Sequence, residues 1–185
     1  MPELVVLVDK AGTPIGTAPK LDIHTSHTPL HLAFSCYVFN EKGRFLLTQR
    51  AHVKKVWPNV WTNSLCGHLS PGESTEDAIK RRLGYELGIR KFKDLKVVLP
   101  DYRYKTPPYN GIIENEVCPV YAVRALEDPK SNPSEVEDWR WVNWSDLDRL
   151  IAKQPEVYSY WFKDQLPKLA VEPRFQAYRR LVDAD

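Results

Sequence analysis

The stretch from Ser74 to Gly88, STEDAIKRRLGYELG, carries the signals of one helix with both of its ends marked. Ser74 has the side chain of an N-cap, and Asp77 stands three residues later, at the spacing of a capping pair. Gly88 ends the pattern with the residue that commonly stops a helix, because it adopts left-handed backbone angles without strain. The sequence therefore predicts a helix over 75–87.

Helical spacing divides this helix into a buried stripe and a polar border. The residues on the stripe are apolar and should face the core: Ile79, Leu83 and Leu87. Arg82 and Glu86, spaced i to i+4, pair along the border of the stripe. A border position can reach a cleft, so both side chains are candidates for contact with a ligand.

Strand-like runs surround the helix. Alternating and β-branched residues predict strands over Leu4–Val8, His31–Phe39, Arg44–Gln49, Trp61–Cys66, Val97–Lys105, Ile112–Ala122 and Trp139–Val142. The segment 40–43 predicts a hairpin turn, 19–24 predicts a short helical or irregular piece, and two or three helices follow from Ser145. Strands first and helices later, with one helix between them, predict an α+β fold: a mixed β-sheet core flanked by helices, in a single domain over residues 1–185.

Composition limits the possible partners. At 185 residues, 43% hydrophobic and 27% charged, the chain is ordinary for a soluble globular domain. A net charge of +2 leaves no basic stripe to coat a nucleic acid. The early apolar run Leu4–Val8 is too short for a signal peptide or a membrane span. We therefore expect a cytoplasmic protein that binds neither nucleic acid nor membrane.

The three cysteines are odd in number and lack dense spacing, which predicts reduced thiols rather than a disulfide framework. We assign Cys36 and Cys118 to packing. Cys66 differs, because the run Leu65-Cys66-Gly67-His68 sets its thiol two residues from an imidazole. A thiol with an ordinary pKa of about 8.5 needs cations nearby to act as a base near neutrality. Since a buried strand cysteine is more often a small hydrophobic residue, both interpretations stay open.

Two carboxylates lie far downstream, in Ile113-Glu114-Asn115-Glu116. On a strand, Glu114 and Glu116 share one face at roughly 6.6 Å between Cα atoms, so both can reach one ion. The alternative is a solvated strand face. Neutral imidazole suits Zn²⁺, Mn²⁺ or Fe²⁺ as a further ligand. The candidates for it are His24, His31 and His68, although their spacing does not force them together.

If the thiol and the carboxylates meet, the fold holds a metal cage with a cysteine on one rim, an arrangement suited to moving protons on and off carbon.

Four basic residues could converge on a diphosphate, with Glu86 holding a bridging Mg²⁺. They are Lys20, Arg50, Lys54 and Arg82. Each alone is more often a surface charge. Trp161 could present its π face to a cationic intermediate, although tryptophans are mostly core residues.

The residues from Gly67 to Ile89 resemble the Nudix box, G-x5-E-x7-R-E-U-x-E-E-x-G-U, in which U is apolar. Gly67, Glu73 and the run from Arg81 to Ile89 carry the resemblance. Arg82 stands where the box has glutamate, and Tyr85 stands where it has the first glutamate of the pair. The acidic cluster that gathers Mg²⁺ for diphosphate hydrolysis is therefore largely absent, which disfavours hydrolysis.

These departures resemble one branch of the Nudix-like superfamily, the type 1 isopentenyl diphosphate isomerases. The matching segments lie between about Lys20 and Trp161: His24-Thr25, Leu30–Ser35, Trp57-Pro58, Val60–Ser64, Cys66–His68, Tyr85–Gly88, Tyr102–Tyr104 and Glu114–Pro119. The resemblance implies a Nudix-like fold and the conversion of isopentenyl to dimethylallyl diphosphate, in isoprenoid biosynthesis, without flavin or nicotinamide.

The resemblance also implies the site residues. It implies a Zn²⁺ or Mn²⁺ site of His24, His31, His68, Glu114 and Glu116, and Mg²⁺ near Glu86 that bridges to the substrate diphosphate. Phosphate contacts would come from Lys20, Arg50, Lys54 and Arg82. Glu116 and Tyr104 would deliver a proton on one face, Cys66 would remove another from the opposite face, and Trp161 would shield the cation. His27 falls on none of the family's metal-ligand positions. We expect the protein to be a monomer.

Two alternatives remain. A Nudix-type diphosphate hydrolase would share the fold, but it should retain glutamates at positions 82 and 85 and does not need Cys66. A noncatalytic metal-stabilised binding module would use the histidines and glutamates structurally, although structural zinc sites more usually contain cysteines. Release of phosphate from nucleoside or prenyl diphosphates would separate a hydrolase from an isomerase.

Overall fold

The computed structural model describes residues 3–183, which form an eleven-stranded mixed sheet with helices against both of its faces. The strands are β1 (Leu4–Val8), β2 (Pro14–Pro19), β3 (His31–Phe39), β4 (Phe45–Arg50), β5 (Trp61–Thr62), β6 (Leu65–His68), β7 (Phe92–Leu99), β8 (Arg103–Lys105), β9 (Asn115–Val117), β10 (Val120–Ala125) and β11 (Val136–Val142). The helices are α1 (Lys20–Ile23), α2 (Thr75–Leu87), α3 (Leu147–Lys153), α4 (Tyr160–Val171) and α5 (Pro173–Asp183). The predicted α+β class is confirmed.

Strand β3 is the centre of the sheet. It runs antiparallel to β1, β4 and β6 and parallel to β9 and β10. Ser35 pairs with Cys66 and also with Val120, so β6 and β10 lie on opposite edges of β3. Successive residues of β3 alternate between two core layers. One layer is covered by α3, α4 and α5, and the other by α2.

Helix α2 has the bounds that its capping residues predict. The Ser74 hydroxyl accepts from the backbone N–H of Asp77 at 3.1 Å, and Gly88 has a φ of 64° at the C-terminal end. The predicted stripe of Ile79, Leu83 and Leu87 is fully buried. Among the helices of residues 3–183, none is both long and apolar enough to cross a bilayer.

The single strand predicted over 61–66 is wrong, because the chain changes partner in the middle of it. β5 pairs with β4, whereas β6 pairs with β3. At the crossover the Ser64 hydroxyl donates to the carbonyl of Leu46 at 2.6 Å and accepts from the N–H of Val38 at 2.9 Å. The Ser64 side chain therefore replaces the backbone hydrogen bonds between the strands where the chain passes from β4 to β3.

Two other predicted strands, Val97–Lys105 and Ile112–Ala122, are each divided in the structure. β7 ends before Pro100 and β9 ends before Pro119, since proline has no N–H to continue a ladder. β2 was not predicted, because its sequence PIGTAP shows no alternation and has proline at both ends. The other predicted strands are confirmed within a few residues, as are α1, the 40–43 turn and three C-terminal helices.

Candidate active site

The register of strands on β3 brings three of the predicted metal ligands and the thiol to one face of the sheet. On one edge, Cys66 pairs with Ser35, and His68 lies two residues further along β6. On the other edge, His31 pairs with Glu116. Directly opposed residues of neighbouring strands point to the same face, as do residues two apart on one strand. The thiol and the carboxylate therefore approach one space from opposite sides of β3.

That space is a cavity of about 520 Å³. Tyr104 joins it because it pairs with Glu116, and Trp161 reaches it from α4. The predicted site residues that line it are Lys20, His24, Arg50, Lys54, Cys66, His68, Arg82, Glu86, Tyr104, Glu114, Glu116 and Trp161. His31 is fully buried next to the cavity and directs Nε2 toward Glu116 at 3.6 Å. The predicted residues are thus brought together.

Three imidazoles and two carboxylates form a compact cluster. The ring centroids of His24, His31 and His68 lie 5.0, 5.3 and 5.5 Å apart. Glu114 Oε2 lies 3.3 Å from His24 Nε2, and Glu116 Oε1 lies 3.2 Å from His68 Nε2. The predicted sharing of one face by Glu114 and Glu116 agrees with these contacts. Mixed imidazole and carboxylate ligands suit Zn²⁺, Mn²⁺ or Fe²⁺.

Backbone carbonyls orient two of these rings. His24 Nδ1 donates to the carbonyl of Lys20 at 2.7 Å, and His31 Nδ1 donates to the carbonyl of Pro29 at 2.9 Å. Because a carbonyl only accepts, each ring presents Nε2 to the cluster, as metal-binding histidines commonly do. Nε2 of His31 and Oε2 of Glu114 are buried without a hydrogen-bond partner. A divalent cation would satisfy both atoms, so the donor set fits a metal.

The surroundings of the cluster shift the pKa of Glu116 and His24, and that of the neighbouring Tyr104. Burial raises the pKa of Glu116, but His31 and His68 outweigh it and hold that pKa well below its ordinary value. Burial lowers the pKa of His24, but contacts with Glu114 outweigh it and raise that pKa. Burial raises the pKa of Tyr104 well above its ordinary value, and Glu116 adds to the effect. Near neutrality Glu116 is therefore ionised and the Tyr104 hydroxyl is protonated.

Cys66 is held by polar groups that sequence analysis did not identify. Its Sγ donates to Asn63 Oδ1 at 3.2 Å and lies 3.4 Å from Ser35 Oγ. Burial raises the pKa of Cys66 to about 12, and the opposing effects of the Ser35 and Asn63 side chains and of Arg50 do not reverse the shift. The thiol is therefore neutral at pH 7 in the metal-free chain. A polar residue inside a strand-like run, as at Ser35 and Asn63, is the signal that could have identified both.

The other two cysteines are free and buried, as expected for packing residues. Cys36 belongs to the layer under α2, on the opposite face of β3 from the cavity. Cys118 lies nearer the site, with its Sγ 3.5 Å from Ser35 Oγ.

Three of the four basic residues at the cavity mouth already have carboxylate partners. Lys20 pairs with Glu3 at 3.0 Å, and Lys54 pairs with Glu135. Arg82 Nε donates to Glu86 Oε1 at 2.7 Å, and its Nη2 donates to Glu135 Oε2 at 3.2 Å. Arg50 instead donates to the backbone carbonyls of 56 and 57 and lies 5.6 Å from the Trp161 ring centroid.

Glu3 and Glu135 also line the cavity, and no local pattern pointed to either. Glu135 is set in place by backbone bonds, because its carbonyl accepts from Ala51 and its N–H donates to the carbonyl of Asn132. Burial raises the pKa of the neighbouring Glu86, while Arg82 acts against the shift. The carboxylates of Glu86 and Glu135 offer the cavity oxygen ligands of the kind that Mg²⁺ uses.

Comparison with known proteins places most of the chain in one domain family. The family model of the NUDIX domain matches residues 29–165. Among solved structures, a Deinococcus radiodurans protein superposes with a TM-score of 0.65 at 20% identity, covering 82% of this chain and 90% of that one. A MutT protein from Methanosarcina mazei superposes with a TM-score of 0.56 at 20% identity, over 82% and 94%. At these identities the structures show the shared fold alone.

Curated relatives are more similar in sequence. A Paenarthrobacter aurescens protein named isopentenyl-diphosphate Delta-isomerase is 52% identical over 167 residues, 90% of each chain. Proteins of the same name from Frankia alni and Clavibacter sepedonicus are 48% and 46% identical. The Frankia match covers 88% of this chain and 83% of the relative, and the Clavibacter match covers 98% and 94%. The similarity therefore extends across most of the length of this chain and of each relative.

Proposed function

This chain belongs to the NUDIX domain family and, within it, to the isopentenyl-diphosphate Delta-isomerases, and from that membership we infer that it converts isopentenyl diphosphate to dimethylallyl diphosphate. The reaction adds a proton to the terminal alkene carbon and removes another from the carbon next to the one that bears the diphosphate. An alkene is a very poor base. The site must therefore supply a strong acid and exclude water.

One observation carries the assignment of roles. Cys66 and Glu116 are paired to opposite edges of β3, share one face of the sheet and line the same cavity. A substrate between them would meet a sulfur on one side and a carboxylate on the other. Two proton transfers on opposite faces of a small hydrocarbon need such an arrangement. A diphosphate hydrolase has no use for it.

We assign the delivery of the first proton to Tyr104 and Glu116. Tyr104 is paired with Glu116 across two strands, and burial keeps its hydroxyl protonated. The Tyr104 O–H bond breaks and leaves its electrons on the oxygen, while the alkene electrons form the new C–H bond at the terminal carbon and leave a tertiary cation. Glu116, ionised beside its histidines, then faces that developing positive charge. The pair thus combines a proton source with a negative charge.

Cys66 completes the reaction by taking the second proton. The C–H electrons become the new double bond, which discharges the cation, and the sulfur ends as a thiol. In the reverse direction the same thiol donates its proton. The raised pKa of Cys66 favours the thiol form, which is the form that the reverse direction needs. In the forward direction the sulfur must begin as a thiolate, which a cation near it would favour.

Trp161 would shield the cation. Its side chain is 4% exposed, and its ring packs edge-on against Trp57 with centroids 5.9 Å apart. Tyr104 lies on another side, at 6.2 Å between ring centroids. The negative face of an aromatic ring attracts a cation most strongly where water is excluded. This wall therefore stabilises the tertiary cation without offering a nucleophile to trap it.

The diphosphate would be held at the cavity mouth by Lys20, Arg50, Lys54 and Arg82, with Mg²⁺ near Glu86. Since three of these cations already have carboxylate partners, the mouth carries little net positive charge. An accompanying Mg²⁺ would supply the charge that a diphosphate needs. Anchoring this large charged group provides the binding energy that positions a small apolar tail.

We propose Zn²⁺ or Mn²⁺ as the ion of the histidine and carboxylate cluster, held by His24, His31, His68, Glu114 and Glu116. The ion would add positive charge beside Tyr104 and Glu116 and so strengthen the acidity of the proton that this pair delivers. A single domain, a monomeric state and a cytoplasmic location, all expected from the sequence, stay predictions. Sedimentation of the purified chain would test the second of these.

The proposed function is tested by incubating the purified chain with isopentenyl diphosphate, without flavin, before and after treatment with a chelator. We expect dimethylallyl diphosphate to form, to disappear after chelation, and to return when Mg²⁺ is added together with Zn²⁺ or Mn²⁺. Release of phosphate or pyrophosphate without isomerisation would instead indicate a hydrolase. Absence of both products, with the metal bound, would indicate a noncatalytic module.

A further inference from the structure

Asn63 connects two of the proposed functional side chains through one oxygen. The residue is fully buried at the crossover between β5 and β6. Its Oδ1 accepts from the Trp161 indole N–H at 2.9 Å and from the Cys66 thiol at 3.2 Å. The side chain that would shield the cation and the one that would take the proton are therefore tied to the same atom.

The orientation of this amide is fixed by the chemistry of its partners. An indole nitrogen only donates, so the Asn63 atom that faces Trp161 must be the oxygen. On its other side, Asn63 Nδ2 donates at 3.0 Å to the carbonyl of Leu65, which only accepts. A flipped amide would lose both bonds and leave buried polar groups unsatisfied. Asn63 Oδ1 thus has one stable direction.

A second link ties the same crossover to the start of α4. The Thr62 hydroxyl donates to Asn63 Oδ1 at 3.0 Å and lies 2.8 Å from the hydroxyl of Ser159. Ser159 is the N-cap of α4, because its Oγ accepts from the N–H of Phe162 at 3.4 Å. The helix that carries Trp161 is therefore bound at two adjacent residues, Thr62 and Asn63, to the segment that leads into the strand of Cys66.

We propose that Asn63 is a positioning residue that fixes the separation of the Cys66 sulfur and the Trp161 ring across the substrate. The proposal rests on the proposed isomerase function. The cation exists only between the two proton transfers, so the ring must lie against the same carbon skeleton that the sulfur deprotonates. Misplacement of a reacting group by about 1 Å costs on the order of 100-fold in rate. One shared acceptor prevents the two groups from moving independently.

Asn63→Leu tests this role, because leucine has a similar size and no acceptor. We expect kcat to fall about 100-fold, while KM, which reflects the distant diphosphate contacts, stays within about threefold of the parent value. Thr48→Val is the matched control, because the Thr48 hydroxyl donates to the backbone carbonyls of 63 and 64 and touches neither Cys66 nor Trp161. Its kcat should stay within about threefold, although it too loses buried hydrogen bonds.

A double variant of Asn63 and Trp161 distinguishes a positioning role of Asn63 from a general loss of stability. Trp161→Phe keeps a ring but removes the N–H, so adding Asn63→Leu to it should cost much less than the same change in the parent. The proposal would be overturned if the kcat of the double variant fell by the product of the two single losses. A folded Asn63→Leu variant with parental kcat would also overturn it. If Asn63→Leu does not fold, Asn63→Ser, which is too short to reach both donors, takes its place with the same expectations. A parent chain without isomerase activity would instead refute the proposed function.

Discussion

Cys66 occupies surroundings that favour its proton-bearing form, and this decides how its role should be tested. The neutral side chain of Asn63 accepts a hydrogen bond from the Cys66 thiol, and burial raises the pKa of Cys66 to about 12. The sequence identified this residue through its closeness to His68, but the cation that acts on it is Arg50.

By contrast, alternation alone predicted that Glu114 and Glu116 share a face. The three histidines could not be grouped from spacing, because His31 and His68 meet through strand pairing and His24 reaches them from α1.

Replacing Cys66 with alanine should remove the proton acceptor without disturbing the metal cluster. We expect kcat to fall by about 10²- to 10⁴-fold, the usual contribution of a positioned acid or base. Bound metal, measured by elemental analysis, should be unchanged. Cys36→Ala is the matched control, because Cys36 is buried on the opposite face of β3 and should lose stability but not activity. Turnover close to that of the parent in Cys66→Ala would remove Cys66 from the mechanism.

At the scale of elements, prediction succeeded where local signals decide the structure and failed where a distant partner does. Ser74 and Gly88 fix the bounds of α2 locally. Pro100 and Pro119 are equally visible in the sequence, and reading each as a break would have divided two strands correctly. The crossover near Ser64 depends on contacts with β3 and β4, so the sequence of 61–66 alone does not reveal it.

Glu73 ties the middle of α2 to the turn that follows β6, and this ion pair should be sensitive to pH. Its carboxylate accepts from Arg81 Nε and Nη2 at 2.7 Å each and from the N–H of Ser70 at 2.9 Å. Hydrogen bonding to Arg81 lowers the pKa of Glu73. The stabilisation is therefore fully present above the unfolded-state pKa of about 4.3 and is lost as the pH falls through the lower folded-state pKa.

Glu73→Gln should lower the free energy of unfolding by about 1 kcal/mol at pH 7, a small value because Arg81 is 39% exposed and screened by solvent. Urea unfolding at pH 7 and below pH ~4 measures the difference, which should shrink on acidification as the parent glutamate protonates. Glu76→Gln, in the same turn and exposed, should show little effect. An equal loss for Glu73→Gln at both pH values would contradict the assigned role of the ion pair.

Gly67 allows α2 to approach β6 closely. A Cβ at this position would lie 3.0 Å from Phe34 Cζ and 3.2 Å from Arg82 Cγ. Gly67→Ala should therefore displace Arg82 and raise KM for the diphosphate substrate about tenfold, equivalent to about 1.4 kcal/mol. Gly84→Ala is the control: its Cβ would meet nothing within 4 Å, and in a helix it should stabilise the fold by about 1 kcal/mol. Steady-state kinetics in which both variants have the parental KM would refute the constraint.

At the scale of the whole molecule, the site forms where the two core layers meet around β3. One face of β3 supplies the metal cluster and the thiol, while α2, on the other layer, sends Arg82 and Glu86 to the mouth of the same cavity. The family resemblance located most of these residues in advance. Glu3 and Glu135 were missed, because each reaches the site through long-range contacts that leave no local pattern.

Deuterium incorporation during turnover tests the facing acid and base most directly. The chain, supplied with Mg²⁺ and Zn²⁺ or Mn²⁺, is incubated with isopentenyl diphosphate in D₂O, and the early product is examined by NMR. Delivery of an exchangeable proton from Tyr104 and Glu116 should place one deuterium in a methyl group of dimethylallyl diphosphate, while Cys66→Ala yields none. Formation of dimethylallyl diphosphate without deuterium, or with equal labelling in the Cys66→Ala variant, would contradict a reaction carried by these two opposed groups.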